Sequence, residues 1–186
     1  DEGGVRFRLP KLHANYESPN LSGWPRAVRE VVTERELLNC HGTFYEVPRA
    51  NSGGARKMRA MATHGKRITD MASWRGLWVL TGVLDDAPES KSLVTTTDDQ
   101  AALWLGEIDE LWKMGEPRGI GGPWKDSAVS AGTPSDPYLM YGFDRKELRL
   151  SHDAPEPVTF TVEVDFLADG EWSVYQSFEV APGESF

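Results

Sequence analysis

The chain has 186 residues, of which 39% are hydrophobic and 26% charged, a composition typical of a folded globular protein. Its formal net charge of -9 excludes the basic footprint that binding to nucleic acid or anionic lipid requires, so we expect no nucleic-acid partner. No apolar run is long enough for a membrane helix, and the single cysteine, Cys40, excludes an internal disulfide.

The N-terminal residues 1–26 show no regular period, which predicts an irregular segment. Their beginning, DEGGVRFRLPK, indicates a processed or excised piece of a longer protein. Basic side chains then concentrate between residues 49 and 75, so a local cationic patch could receive an anionic small ligand or a sugar even on this acidic chain.

Helix signals are scarce along the chain. The stretch ELLNC is one candidate, and IDELWKMG (Ile108 to Gly115) is the other, with Ile108, Leu111 and Trp112 on one predicted face and a glycine stop. The other elements read as short strands between turns. In chain order the predicted strands lie within 28–33, 41–48, 66–71, 74–83, 92–97, 98–109 and 144–153.

The C-terminal part has the clearest pattern. Residues 158–166 alternate apolar and polar side chains, and Asp169-Gly170 predicts a hairpin turn before a returning strand from 172 to 180. Together with strands over 138–143 and 147–151, this hairpin predicts four successive antiparallel strands, which is the content of one propeller blade or of half a sandwich.

Aromatic-rich strand cores recur after turns at Thr43-Phe44-Tyr45, Leu77-Trp78-Val79 and Leu103-Trp104-Leu105, and the chain has seven tryptophans. This pattern predicts an all-β fold of small antiparallel sheets. It resembles several blades of a β-propeller, with a β-sandwich as the alternative. Residues 1–186 are then either a single β domain or the C-terminal part of a larger propeller. Its missing blades would come from the remainder of the same protein or from a second copy of the chain.

Two segments, TERELLNCHGTFYEVPR and GGPWKDSAVSAGTPSDPYLM, resemble uncharacterised bacterial β-propeller proteins associated with polysaccharide degradation. The resemblance implies a carbohydrate partner. The single cysteine fits a cytoplasmic enzyme and an exported bacterial protein equally, so a secreted or periplasmic location is one of two open alternatives. It lies at the level of strand repeats, because neither the WD nor the kelch signature is present.

A long irregular loop over residues 119–137 is rich in glycine and proline, and such loops are often functional. Trp124 could stack on a sugar face, while Lys125 and Asp126 could bond hydroxyls or a carboxylate. Arg118 and Tyr138 are close in sequence and complete this candidate ligand-binding set. The alternative interpretation is that Trp124 packs beneath the loop as a plug.

The candidate catalytic set combines histidines, carboxylates and cations near predicted strand entrances, as listed here: His41, Glu46, His64, Lys66, Arg67 and Asp70. Imidazole and carboxylate groups suit general acid–base chemistry or a divalent metal such as zinc. The alternative interpretation is that both histidines only bond nearby backbone.

A second acidic group contains Asp98 and Asp99, followed by Glu107, Asp109 and Glu110, and could serve a glycosidase or bind calcium. Paired aspartates also occur in hairpin turns without any chemistry. Cys40 is predicted to be a core residue rather than a nucleophile.

These patterns predict a carbohydrate-related enzyme, or part of one, of lyase or hydrolase type. A lyase would use His64 as base and Arg67 to neutralise a uronate, whereas a hydrolase would need two carboxylates. The alternatives are a non-catalytic carbohydrate-binding module, with Trp124 and Tyr138 as its platform, and a structural or assembly domain.

Overall fold

A computed structural model describes residues 3–12, 27–32, 35–40, 42–64, 66, 68–82, 91–98 and 100–186. It divides into two compact units, Asp1–Phe143 and Asp144–Phe186. The described chain is mostly β, in small antiparallel sheets of which none closes on itself. The all-β prediction is therefore confirmed, whereas the single-domain prediction stays a prediction.

The first sheet is a four-stranded antiparallel meander in the order β1-β2-β3-β4. Its strands are β1 Ala27–Val32, β2 Arg35–Cys40, β3 Thr43–Val47 and β4 Arg59–Thr63. Two short 3₁₀ helices, Ala50–Ser52 and Gly54–Lys57, connect β3 to β4.

The second sheet has the order β5-β6-β8-β7, so β7 lies outside β8 and interrupts the simple meander. Its strands are β5 Asp70–Trp74, β6 Leu77–Thr81, β7 Leu93–Thr95 and β8 Ala102–Gly106. A 3₁₀ helix, Ile108–Met114, follows β8. None of the helices in the described residues is long and apolar enough to cross a membrane.

Strands β2, β3 and β4 of the first sheet are buried on both faces. Leu37 and Phe44 point into a core shared with Trp78 of the second sheet, while the neighbouring Tyr45 belongs to a second cluster with Phe143 on the opposite face. Because successive residues of a strand point to opposite faces, a strand buried on both sides reads as a continuous apolar run.

This double burial explains why the helix prediction for ELLNC was wrong. Leu37 and Leu38 are adjacent in that run and pack on opposite faces of the sheet as part of β2. The strand pairs with β1 on one side and with β3 on the other, so its backbone donors and acceptors are used in the sheet. A run of five residues cannot distinguish a helix from a doubly buried strand.

The long loop is tied to the N-terminal segment. Lys11 and Ile120 exchange two backbone hydrogen bonds of 2.8 and 2.7 Å, and Arg8 pairs with the backbone of residues 137 and 139. The Arg8 guanidinium also binds the Asp136 carboxylate at 2.8 Å. The segment over 119–137 is irregular, as expected, but both of its ends are fixed.

The outer edge of β4 is covered by the residues that flank this loop. The Thr63 amide donates to the Gly115 carbonyl, and the Ala60 amide donates to the Tyr141 carbonyl at 3.1 Å. These contacts satisfy strand groups that an open edge would leave unpaired. The strand β4 itself was not predicted from the sequence.

In the second unit, β9 Val158–Val164 and β10 Ser173–Val180 form the expected hairpin. The predicted turn at Asp169-Gly170 belongs to a longer connection, in which the Asp165 carboxylate accepts backbone hydrogen bonds from both residues. The predicted four-stranded sheet is wrong, because the other two segments form only isolated bridges, one of them between Ser151 and Ser185.

Gly142 allows the backbone next to Tyr141 to approach β4. Its φ is 88°, and an added Cβ would lie 2.3 Å from the Ala60 carbonyl oxygen. We expect Gly142→Ala to lower the free energy of unfolding by about 3 kcal/mol, from left-handed strain plus steric displacement.

Gly132 is a matched control, since its φ is 74° but nothing lies within 4 Å of an added Cβ. Gly132→Ala should lower the free energy of unfolding only through left-handed backbone strain, by about 1 kcal/mol. Denaturant unfolding followed by tryptophan fluorescence measures both variants, and equal losses would contradict the proposed close approach.

Candidate functional site

One cluster on the first unit brings a cation, a carboxylate and two exposed aromatic rings together, and we call it the Arg59 cluster: Glu46, Arg59, Trp112 and Tyr141. The Arg59 guanidinium contacts the Glu46 carboxylate at 2.5 Å. Its central carbon lies 5.1 Å from the Trp112 ring centre and 6.0 Å from the Tyr141 ring centre. Trp112 is 41% exposed and Tyr141 60% exposed.

The sheet register places the charged pair. Glu46 and Arg59 are direct cross-strand partners of β3 and β4, so their side chains leave the same face of the sheet. Both side chains are partly covered, with 25% of Glu46 and 37% of Arg59 exposed. Partial burial weakens solvent screening, so this pair is stronger than a fully exposed one.

The 3₁₀ geometry of Ile108–Met114 places Trp112. In a 3₁₀ helix residues three apart lie above one another, and here Ile108, Leu111 and Met114 pack on the core. The α-helical spacing used for the prediction had put Trp112 on this buried face. Because the helix has three residues per turn, Trp112 instead leaves the core and faces Arg59.

Tyr141 is held by its backbone and by its neighbours. Its carbonyl accepts the Ala60 hydrogen bond, Gly142 packs against the same backbone, and Phe143 is buried in the second core cluster. The backbone that carries the exposed ring is therefore fixed beside β4 by packed residues on its C-terminal side. A side chain on a fixed backbone requires less ordering when a ligand binds.

The arrangement can hold a ligand that has a flat apolar face and polar edges. Each ring has one face towards the guanidinium and retains exposed surface for stacking. The guanidinium offers donors, and the carboxylate offers acceptors. Aromatic surface beside such groups is a combination that suits sugars.

His64 is a buried, fully bonded residue. Its Nε2 lies 2.9 Å from the Asn39 Oδ1, and its Nδ1 accepts a hydrogen bond of 2.9 Å from the Lys66 amide. The ring is therefore neutral, with the proton on Nε2. Burial, aided by the Lys66 charge, lowers the pKa of His64 to about 3. The Nδ1 contact is a backbone bond of the kind that the alternative interpretation describes, whereas the Nε2 contact is to a side chain. The catalytic role stays a prediction, and neither ring nitrogen is free to support it.

The other predicted catalytic residues do not gather around His64. Glu46 lies at the opposite end of the β3–β4 pair, because the His64 amide bonds Gly42 at the start of β3. Asp70 is on β5 and binds Arg29 of β1 at 2.8 Å. Its pKa is lowered by the Met71 amide and then by that arginine. His41 and Arg67 lie outside the described residues.

The predicted ligand-binding set is spread along the loop. Trp124, Lys125 and Asp126 are exposed, and the Ser127 hydroxyl donates to the Lys125 carbonyl at 2.9 Å. Trp124 is therefore no buried plug.

The two remaining members of that set lie at the ends of the loop. Arg118 is fixed by its backbone to the Thr63 hydroxyl, with its amide donating at 2.8 Å. Tyr138 is half-buried beside Gly121, and burial raises its pKa to about 12. Neither side chain is brought to the Arg59 cluster by a contact in the structure.

The acidic set has local contacts instead of a shared site. The Asp98 carboxylate accepts hydrogen bonds from the Thr96 hydroxyl and the Gln100 amide, as in a simple turn, and Asp99 lies outside the described residues. Among the residues that the structure describes, no three His, Cys, Asp or Glu side chains form a group able to hold a metal. Cys40 is buried, as predicted.

Sequence reasoning missed three of the four members of the Arg59 cluster as site residues: Arg59, Trp112 and Tyr141. One signal was available, because Ile108, Leu111 and Met114 recur every three residues and leave the intervening tryptophan outside. The proximity of Tyr141 to Arg59 depends on long-range edge pairing, which has no local signal.

No protein-family model matches this chain, and no curated protein or solved structure matches it either. The resemblance to bacterial β-propeller proteins therefore stays a prediction, and a function must be argued from the geometry of the residues.

The neutral state of His64 predicts a pH-dependent stability. Its folded pKa of about 3 lies below the ordinary value of 6.5, so protons favour the unfolded chain. The contribution of neutral His64 to the free energy of unfolding is complete above pH 6.5. It is lost as the pH falls towards 3. Between pH 7 and 5, the stability difference between wild type and His64→Gln should shrink by about 2 kcal/mol.

Urea unfolding of both proteins at a series of pH values measures this difference. A difference that stays constant over that range would show that His64 is not held neutral by its surroundings.

Proposed function

We propose that this protein is a carbohydrate-binding module and that the Arg59 cluster is its binding surface. One observation supports the proposal: two exposed aromatic rings, Trp112 and Tyr141, contact the same guanidinium. That guanidinium is also paired with the Glu46 carboxylate. Aromatic rings provide stacking surface for the apolar face of a sugar ring, and the ion pair provides donors and acceptors for its hydroxyls.

Preorganisation supports the same proposal. Glu46 and Arg59 come from paired strands, Trp112 follows the buried Leu111, and Tyr141 precedes the buried Phe143. A site on such elements requires little ordering when it binds, which favours recognition.

A lyase with His64 as base would need a free ring nitrogen, and both nitrogens of His64 are hydrogen-bonded to Asn39 and Lys66. A hydrolase would need two carboxylates, and the Arg59 cluster contains one, Glu46. Binding without turnover therefore agrees better with the geometry than a lyase or hydrolase.

Single alanine variants test the surface. Trp112→Ala and Tyr141→Ala should each weaken oligosaccharide binding by about tenfold or more, because each removes one stacking face. Isothermal titration against neutral and acidic hexasaccharides, together with circular dichroism to confirm folding, measures the effect.

Trp74 provides the matched control. It is 53% exposed and carries the Arg75 guanidinium 5.1 Å from its ring centre, but it lies on the second sheet. Trp74→Ala should leave affinity within about twofold of wild type. If Trp74→Ala and Trp112→Ala lose equal affinity, the proposal is contradicted. The absence of binding to any oligosaccharide would contradict it too.

For the architecture, we propose β-propeller-like blades. Two observations support this: the first sheet is a four-stranded meander, and β1 and β5, the first strands of the two sheets, contact each other through the Arg29–Asp70 pair. The outer position of β7 departs from the pattern, and a β-sandwich is the alternative.

Light scattering combined with mass spectrometry of the native product tests this architecture. A species well above 20.7 kDa, from a longer chain or a second copy, would agree with further blades. A well-folded monomer of that mass would favour the sandwich.

A further inference from the structure

We infer that the Glu46–Arg59 pair makes the Arg59 cluster select neutral sugars over uronic-acid sugars, with Glu46 as the specificity-determining residue. This inference depends on the proposed function. It starts from one contact, since the Glu46 carboxylate and the Arg59 guanidinium touch at 2.5 Å and so present no net charge to a ligand.

The position of Glu46 in the sheet keeps the pair together. Glu46 is the register partner of Arg59, and the backbones of β3 and β4 are fixed on both faces by buried residues. The guanidinium is confined as well, because Trp112 and Tyr141 both contact it. A ligand that stacks on these rings therefore approaches the carboxylate and the guanidinium at the same time.

The effect on a sugar depends on its charge. Hydroxyl groups can donate to Glu46 and accept from Arg59, so a neutral sugar can use both partners. A ligand carboxylate could reach the guanidinium only beside an existing carboxylate, and like charges at that separation repel. Rejection by an adverse contact is a common source of specificity.

The segments that carry the cluster contain charges of both signs. The helix that carries Trp112 also carries Asp109, Glu110 and Lys113, so its own charge is negative. The nearby cation Arg49 binds the Glu30 carboxylate at 2.8 Å. The 3₁₀ helix before β4 also carries two cations, Arg56 and Lys57, so charges of both signs lie near the cluster in sequence and the preference depends on the contact between Glu46 and Arg59.

Replacing Glu46 tests the inference. Binding of wild type and Glu46→Gln would be measured by titration calorimetry at about 150 mM salt, where long-range charge effects are screened. The neutral probes are cellohexaose and mannohexaose, and the acidic probes are hexasaccharides of galacturonate and mannuronate. We expect wild type to bind its better neutral probe at least about tenfold more tightly than either acidic probe.

In Glu46→Gln the Arg59 charge is no longer paired. Affinity for the acidic probes should rise by about tenfold, because the repelling carboxylate is gone. Affinity for the neutral probe should not rise, because that probe loses a charged acceptor, so the neutral-to-acidic affinity ratio should fall by about tenfold or more. Glu46→Asp keeps the charge and should keep the wild-type preference. Glu30→Gln removes the carboxylate of a different ion pair, Arg49–Glu30, and should behave as wild type.

The possible failures are distinguishable. If wild type prefers the acidic probes, or if Glu46→Gln leaves the neutral-to-acidic ratio unchanged while Trp112→Ala still abolishes binding, this inference is wrong and the proposed function stands. If wild type binds none of the probes, both are wrong.

Discussion

Burial of β2, β3 and β4 on both faces of the first sheet is the constraint on which the first unit depends. One face packs against the second sheet around Phe44 and Trp78, and the other packs around Tyr45 and Phe143. The end strand β4 still has one edge without a strand partner, and the backbone groups of that edge need other partners. The outer edge, β4, receives backbone hydrogen bonds from residues 115 and 141 and so fixes the segments on either side of the long loop.

The Arg59 cluster is a consequence of that edge. Arg59 is the first residue of β4, and the next residue, Ala60, pairs with Tyr141. Thr63, at the other end of β4, pairs with Gly115, which follows the helix that carries Trp112. Packing that stabilises the sheet therefore also positions the exposed rings. Cation–π contacts of this kind contribute about 0.5–1 kcal/mol each at exposed sites, too little to hold the rings alone. The positions are set by the backbone, and the exposed surfaces remain available for a ligand.

Local patterns predicted the elements that depend on local physics. The β9–β10 hairpin follows from strict alternation, and the helix before Gly115 follows from apolar spacing with a glycine stop. Contacts distant in sequence carried no such signal. The doubly buried β2 resembled a helix, and the pairing of Tyr141 with β4 could not be anticipated. The candidate site depends on contacts distant in sequence, such as the pairing of Tyr141 with β4. For that reason only Glu46, of its four residues, was identified from the sequence.

The most direct test of the account is to follow the indole N–H signals of the seven tryptophans by NMR during titration with a neutral hexasaccharide. Single Trp→Phe variants would assign each signal. If the Arg59 cluster binds the sugar, the Trp112 signal shifts until the protein is saturated. The Trp74 signal, from a tryptophan that also lies beside an arginine, does not shift. A shift confined to Trp124 would place binding in the long loop, and a shift of Trp74 alone would place it on the second sheet. Either result would contradict a binding surface at the Arg59 cluster.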